Sequence, residues 1–511
     1  MGGPRPALLR RGEEAAAARA AGPAPAGGAR GGGSGAGPDA AECGGGSEVR
    51  TAFGEALGRE PRGVNHSHFL MQAPAELAAL RADAVRPFAA RPPRPAHGTL
   101  PAWPVKKLPP AFAGPLAMPE RPLWGGSDTI EELDRREKAA FDGWLRDLER
   151  GGACDTDGGV LPPLNNFERS LEVWRELWRV LEISQVLLHI VDARMPLLHF
   201  AAPVYEQACR QSVPLVVLLN KADLVPAEEC QLWREYLQRR FPDIRAIIPL
   251  TADSQLRGAR RWSQGRDAAA KILEAIKACP VLHEGIRRPA ADFFACGEEE
   301  VVQAEDHPAP TGGDSRPPEV PHRPRDYITL GFIGEPNMGK SSAINLILGA
   351  SKVGVGPTPG KTKHLQTHYL CPRVRLCDCP GLVFPKRGVP AGLQALSGNF
   401  PISQVREPYS TLRFLEENGA LPSLEEAYKL EHPEEHDYAE KSAGCGEAEW
   451  SPYGIAEALA VKLNFFAARG GRPDAARAAN RILRDVLDGN SVILAFKPPP
   501  DPPFLGSLPL A

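Results

Sequence analysis

The sequence is short of several features that would settle its class at once. Its 511 residues carry only ten cysteines, too sparse for a disulfide scaffold. The tightest group, Cys371, Cys377 and Cys379, lacks the paired spacing of a zinc knuckle and falls in strand-like sequence, so these are expected to be reduced thiols in a reducing compartment. There is no basic excess: 60 Lys and Arg against 63 Asp and Glu leave a formal net charge of −3. That excludes a globally nucleic-acid-coating protein and confines any such contact to a local patch. No apolar run is long enough to span a bilayer. The opening Met1-Gly-Gly-Pro-Arg leads into no apolar core of the kind a secretory leader needs, and Pro6 stands where a myristoylation site wants Ser or Thr. The expectation is an intracellular protein of the nucleus, nucleolus or cytoplasm, without membrane association.

Proline and glycine are plentiful, at 53 and 51 residues, and they are unevenly spread. Residues 1–48 are Ala/Gly/Pro/Arg low complexity and cannot bury enough apolar surface to offset ordering entropy. Residues 49–124 remain Pro-rich. A helix is predicted from Thr129 to Glu149, and a stronger one from Phe167 to Ile183, where Phe167, Leu171, Trp174, Trp178 and Leu181 recur at helical spacing. Six short apolar runs then follow: Gln185–Asp192, Pro214–Leu219, Ala246–Leu250, Ile328–Ile333, Leu365–Leu370 and Val374–Cys377. Such runs, alternating with helical stretches, predict an α/β doubly wound sheet. The expected organisation is a disordered and Pro-rich region over 1–124 and an α/β domain over 125–400. The latter is interrupted at 255–325 by a short helix near 267–279 and a flexible acidic linker. A small helical C-terminal domain over 401–500 and a tail over 501–511 complete it.

Gly334-Glu335-Pro336-Asn337-Met338-Gly339-Lys340-Ser341 fits the P-loop pattern in the right context, after an apolar strand and before a helix that continues through Ser342. Two glycines let the backbone curl its N–H groups inward onto phosphate oxygens, and the helix N-terminus adds a favourable dipole. Lys340 then reaches the β- and γ-phosphates and the Ser341 hydroxyl ligates Mg²⁺. Downstream, Asp378-Cys379-Pro380-Gly381 ends a strand. Asp378 can hold Mg²⁺ through water, and the Gly381 N–H can approach the γ-phosphate where a side chain would obstruct. Between them, Thr358-Pro-Gly-Lys-Thr362 offers a threonine to complete the Mg²⁺ shell when the γ-phosphate is present. Thr362 is the choice and Thr358 the alternative. Lys340, Thr362 and Gly381 are thus the groups expected to act on the transferred phosphate.

Asn220-Lys221-Ala222-Asp223 follows a strand directly. A carboxylate such as Asp223 can accept two hydrogen bonds from guanine N1–H and its exocyclic amine, a pair that adenine lacks. Asn220 would tie base and loop together, and the Lys221 stem would cover the ring. After the next strand, Thr251-Ala252 is small enough for backbone N–H to approach guanine O6. The same four-residue pattern also serves as an ordinary helix N-cap; the accompanying P-loop favours GTP or GDP as ligand.

The order of these elements is reversed, with the base-reading motif ahead of the P-loop. Domain termini often lie close together, so joining the old ends and cutting new ones can give the same sheet. The chain resembles the circularly permuted GTPases that assist ribosome assembly. Besides the motifs above, Asp192-Ala-Arg194-Met-Pro196, the run from Asp378 to Pro385 and Pro401-Ile-Ser-Gln-Val-Arg-Glu-Pro408 carry that resemblance over roughly residues 125–500. It implies a P-loop GTPase sheet with permuted motif order that uses Mg²⁺ and hydrolyses GTP slowly. Members lack the usual catalytic Gln after Gly381, and Leu382 stands there here. Asn337 matches a P-loop Asn that helps bind K⁺ in related GTPases. The implied role is a switch in large-subunit ribosome biogenesis with a pre-ribosomal particle or rRNA as partner; the alternative is a GTP-sensing scaffold with negligible turnover. Relatives often begin with a Lys/Arg-rich segment, whereas residues 1–48 contain no lysine, which departs from nucleolar targeting. Arg477, Arg481 and Arg484 share one face of a C-terminal helix, either as solvated surface or as an RNA-phosphate contact.

Overall fold

The computed structural model describes residues 74–88, 116–125, 128–150, 163–251, 259–295, 327–349, 365–420, 422–431, 449–467 and 471–499. The expectations for residues 1–48, Ala252, Thr358, Thr362 and the tail lie outside these residues. The strands are β1 (Val186–Asp192), β2 (Leu215–Asn220), β3 (Ile244–Pro249), β4 (Pro280–His283), β5 (Ile286–Pro289), β6 (Ile328–Ile333), β7 (Gln366–Cys371) and β8 (Val374–Asp378). Six of them form one sheet in the order β3-β2-β1-β6-β8-β7. All pairs are parallel except β7 against β8. β1, β2 and β6 are buried at every position, which is why they are continuous apolar runs rather than alternating ones: helices cover both faces.

The helices in chain order are α1 (Pro74–Asp83), α2 (Ile130–Arg150), α3 (Leu171–Ile183), α4 (Pro196–His199), α5 (Ala202–Arg210), α6 (Ala227–Arg240), α7 (Ala259–Lys277), α8 (Lys340–Leu348), α9 (Ala391–Leu396), α10 (Tyr409–Glu417), α11 (Leu424–Tyr428), α12 (Pro452–Lys462) and α13 (Ala475–Asp488). Side chains alternate across a strand, and β1 shows it. Leu187 and Val191 enter one core with Trp174 of α3, Trp233 of α6 and Ile482 of α13. Val186, Leu188 and Ile190 enter the other with Ile272 of α7 and Ile344 of α8. No described helix is long and apolar enough to cross a membrane.

Two features differ from the expected organisation. The stretch over 255–325 contains a full helix, α7, beginning at Ala259, followed by the β4–β5 antiparallel hairpin and the fully buried Phe293. The C-terminal helices have no core of their own: α10, α12 and α13 share the core that covers one face of the sheet. α13 owes its definition to local chemistry. The Asp474 side chain accepts the Arg477 N–H at the start, and Gly489 takes a left-handed conformation (φ 75°) at the stop.

Candidate functional site

The sheet order places β1 beside β6, and the connections run to opposite sides from there. In open α/β sheets the crevice outside the carboxyl ends of strands at such a reversal is the ligand site. The registers Asp192↔Asn220 and Phe332↔Asp378 put the strand ends of β1, β2, β6 and β8 along this one edge. Both expected motifs therefore meet there although β6 follows β2 late in the chain.

The side expected to hold phosphate is built from backbone. Gly334 has φ 148°, and a Cβ there would meet the Ile190 carbonyl oxygen at 2.5 Å. Gly339, φ 93°, precedes α8, and a Cβ there would lie 2.1 Å from the Asn220 amide nitrogen. The loop can follow this path only with glycine at both points. Asn337 adopts a left-handed φ of 61°, and its amide nitrogen is buried without a protein partner. Met338 is fully buried and sits in the core beneath the loop. The Lys340 ammonium donates to the carbonyls of Gly334 (3.1 Å) and Glu335 (2.8 Å). Burial pulls its pKa below the usual lysine range despite the nearby Asp378 carboxylate. The Ser341 hydroxyl donates to Asp378 Oδ2 at 2.8 Å, and Ser342 follows on the first turn of α8.

Of the four residues starting at Asp378, the first three are buried and Gly381 is half-buried. The Cys379 thiol is buried, which raises its pKa well above the usual range, and its N–H donates to the Phe332 carbonyl; Pro380 has no N–H. Asp378 and Gly381 remain as the groups turned to the loop. A Cβ on Gly381 would meet Pro336 backbone atoms at 2.8 and 2.9 Å. The chain beyond is strapped down. Asn165 accepts the Lys386 N–H at 2.7 Å and donates its side-chain amide to the Phe384 carbonyl at 3.0 Å. Trp174 packs edge-on to Phe384 with ring centroids 5.5 Å apart. Leu382 is 2% exposed.

A buried ion cluster supports the phosphate loop. Glu335 is fully buried; it accepts from Lys386 Nζ at 2.9 Å and pairs with His199 Nδ1 at 2.6 Å. Lys386 also donates to the Leu198 carbonyl. Burial alone would raise the Glu335 pKa, but the Lys386 charge and the His199 hydrogen bond outweigh it and hold the carboxyl at about 2. An ionised carboxylate only accepts, so His199 Nδ1 carries the proton. Behind it, burial holds His189 at about 3 and hence neutral.

The side expected to read the base is held largely by side chains. The Asn220 side-chain amide donates to the Met338 carbonyl at 2.7 Å. Lys221 has a left-handed φ of 60° and leads into a short 3₁₀ turn, Ala222–Leu224. Asp223 is exposed on that turn and Thr251 half-buried nearby in sequence after β3; the Ala222 N–H donates to the Leu250 carbonyl. Beneath the turn, Asp192 is fully buried. It takes two nitrogens of Arg194 (3.0 and 2.8 Å) and Lys221 Nζ at 3.1 Å. Burial opposes its ionisation, but these two cations hold the carboxyl well below the usual range. The sequence showed Asp192 and Arg194 as part of a resemblance without a role. The pairing of Glu335 with His199 and Lys386 was not visible there at all, since its members are scattered along the chain.

A family model described as 50S ribosome-binding GTPase matches residues 329–407. The chain is 34% identical over 413 residues to guanine nucleotide-binding protein-like 1 of Pan troglodytes, covering 75% of this chain and 65% of that protein. It is 33% identical over 402 residues to large subunit GTPase 1 of Schizosaccharomyces pombe, covering 77% and 60%. The chain thus spans under two thirds of the length of these curated relatives. Among solved structures, GNP-bound YlqF from T. maritima is 18% identical with a TM-score of 0.35, covering 63% of this chain and 97% of that one.

Proposed function

We propose that this chain is a circularly permuted P-loop GTPase that binds GTP and GDP at the carboxyl edge of its sheet and hydrolyses GTP. The observation that carries this is the Asn220–Met338 hydrogen bond at 2.7 Å, which joins the base-reading strand to the phosphate loop in one cleft. Gly334, Gly339 and Gly381 let the loop pack closely against Ile190, Asn220 and Pro336, a tight backbone curve of the kind that presents N–H groups to a phosphate chain. We assign Asp223 to reading guanine and Thr251 to the same base site; Ala252, outside the described residues, is assigned there from the sequence alone.

The donor set also fits Mg²⁺, a hard cation that prefers oxygen. The Ser341 hydroxyl and Asp378 carboxylate already lie 2.8 Å apart, and these two, with Thr362, would hold it. When bound, the ion neutralises charge on the phosphate oxygens. Lys340 supplies the protein's own charge; an anion beside it offsets the desolvation that now lowers its pKa. Asn337 is the residue we assign to K⁺. Leu382 is buried and apolar and cannot orient water, so intrinsic turnover is slow, on the order of 10⁻⁴ to 10⁻³ s⁻¹ as in an unassisted P-loop GTPase. A scaffold that senses GTP with negligible turnover is the second reading, and the burial of Leu382 is what favours it.

The matched family and relatives are described as a 50S ribosome-binding GTPase and a large subunit GTPase, and we assign this chain a pre-ribosomal particle or its rRNA as partner. The arginine face of α13 is a limited contribution. Arg481 pairs with Asp485 at 2.9 Å and Arg477 stacks over Phe465 at 4.1 Å, and all three arginines are exposed. Two measurements test the proposal. Asp223→Asn should weaken GTP and shift preference toward xanthosine triphosphate; unchanged GTP affinity would defeat the base-site assignment. Single-turnover assays with and without large ribosomal subunits, in K⁺ and in Na⁺, should show phosphate release; none in any mixture would leave the scaffold reading.

A further inference from the structure

The C-terminal end of α13 is not merely packed near the base-reading loop; it completes the loop's support. Arg194 is fully buried. Its guanidinium spans the Asp192 carboxylate and the last carbonyls of α13: Nη1 donates to Val486 at 2.6 Å and Nη2 to Leu487 at 3.1 Å. Lys221, the second residue of the base-reading motif, divides its ammonium between Asp192 (3.1 Å) and the same Leu487 carbonyl (3.3 Å). These are carbonyls of the last helical turn, the Val486 one also accepting the Gly489 N–H at 3.2 Å, where partial negative charge collects and cations are favoured. The chain beyond the helix returns to the same point, since the Phe496 N–H donates to the Arg194 carbonyl at 3.0 Å. On the other side, Gly489 lies so close to Leu224, next to Asp223, that a Cβ there would meet Leu224 Cδ1 at 2.4 Å.

We propose that the end of α13 is part of the guanine-selecting site, and that Arg194 is a positioning residue that holds Lys221 and the Asp223 turn in base-reading geometry through Asp192 and the Val486 and Leu487 carbonyls. This rests on the GTP-binding reading above. Arginine's planar fork makes the bridge; lysine at the same place is a single point charge and cannot reach carboxylate and both carbonyls together. Because linkage is reciprocal, guanine bound at Asp223 tightens the α13 end as much as the docked helix tightens guanine.

The test uses the full chain with Arg194→Lys and, independently, Gly489→Ala, which leaves the ion cluster intact but strains φ 75° and crowds Leu224. Affinities are measured for GTP, ITP and ATP. ITP lacks the exocyclic amine that Asp223 reads, so the GTP-to-ITP ratio reports engagement of that carboxylate. Wild type should prefer GTP to ITP by at least tenfold. Each variant should lose about tenfold or more in GTP affinity, with the ratio falling toward one and ATP affinity unchanged. GTP should also slow hydrogen exchange at the amides of Asn490 and Phe496 in wild type and fail to do so in Arg194→Lys. An equal loss for all three nucleotides, or an unchanged ratio in variants that fold, overturns the inference. Should Arg194→Lys fail to fold, Gly489→Ala carries the same comparison. If wild type itself shows no preference for GTP over ATP, the functional reading fails first, and the result is distinguishable from failure of the positioning role.

Discussion

Beneath the base-reading loop, the Arg194 guanidinium reaches a carboxylate and two helix carbonyls, and Lys221 closes the remaining side. Beneath the phosphate loop, Glu335 is likewise held by two partners, but its surroundings are less complete. His199 Nε2, both nitrogens of His189 and the Asn337 amide nitrogen are buried with no protein partner. A buried polar group left without a hydrogen bond carries its full desolvation cost. The base half is therefore the rigid frame, and the phosphate half holds the groups for which rearrangement costs least. This asymmetry suits a ligand whose base stays constant while its phosphates change.

The comparison can be broken most directly at Arg194. Arg194→Ala leaves a buried carboxylate and two helix carbonyls short of donors and should lower the unfolding free energy by about 3–5 kcal/mol, read by urea denaturation. A loss under about 1 kcal/mol would mean that the base half is no stiffer than ordinary surface structure. Next comes Lys386→Met, on the phosphate side. Its side chain keeps 14% exposure, and His199 continues to support Glu335, so the expected loss is smaller, about 1–3 kcal/mol for a charge-assisted hydrogen bond. Equal losses in the two variants would remove the asymmetry.

The pH dependence of stability from these buried groups is flat near neutrality and sharpens the comparison in acid. His189 is held at about 3 against an ordinary 6.5. The unfolded chain then binds the extra proton first, so its stability contribution is complete above pH 6.5 and is lost as pH falls toward 3. Glu335, held at about 2 against 4.5, contributes fully above pH 4.5 and loses that contribution as pH falls toward 2. Between pH 6.5 and 4.5 only the histidine acts of these two. His189→Leu should flatten the stability profile in that window, and Glu335→Gln only below it. Coincident profiles for wild type and His189→Leu from pH 6.5 to 4.5 would show that His189 is not buried neutral.

Much of this architecture could be read along the chain. All six strands of the main sheet overlap the apolar runs, most plainly β1, β2 and β6, which are buried at every position and therefore read as continuous apolar sequence. The permuted order was legible because glycine spacing and the Asn-Lys-x-Asp pattern are tied to particular backbone paths. The β4–β5 hairpin was not, since Ile286–Pro289 includes Arg287 and Arg288 and shows little apolar alternation. Nor was the shared core of α13 evident: an amphipathic helix declares that it has an apolar face but not which surface covers it. The ion clusters escaped for a related reason. Arg194 and Glu335 look like surface residues until their partners, remote in sequence, are brought to them.

The Arg194–Val486 bond spans 292 positions, and this has a consequence for how the nascent chain matures. β1 and β2 can pair early, but β1 keeps an open edge until β6 is synthesised to fill it. Even then the guanidinium beneath the base-reading turn waits for the last turn of α13. Folding of the first half is thus held provisional until nearly the whole polypeptide has emerged. A chain cut short before Val486 would not be a trimmed copy of the protein but one with a cation buried against missing carbonyls, a ready target for quality-control proteases.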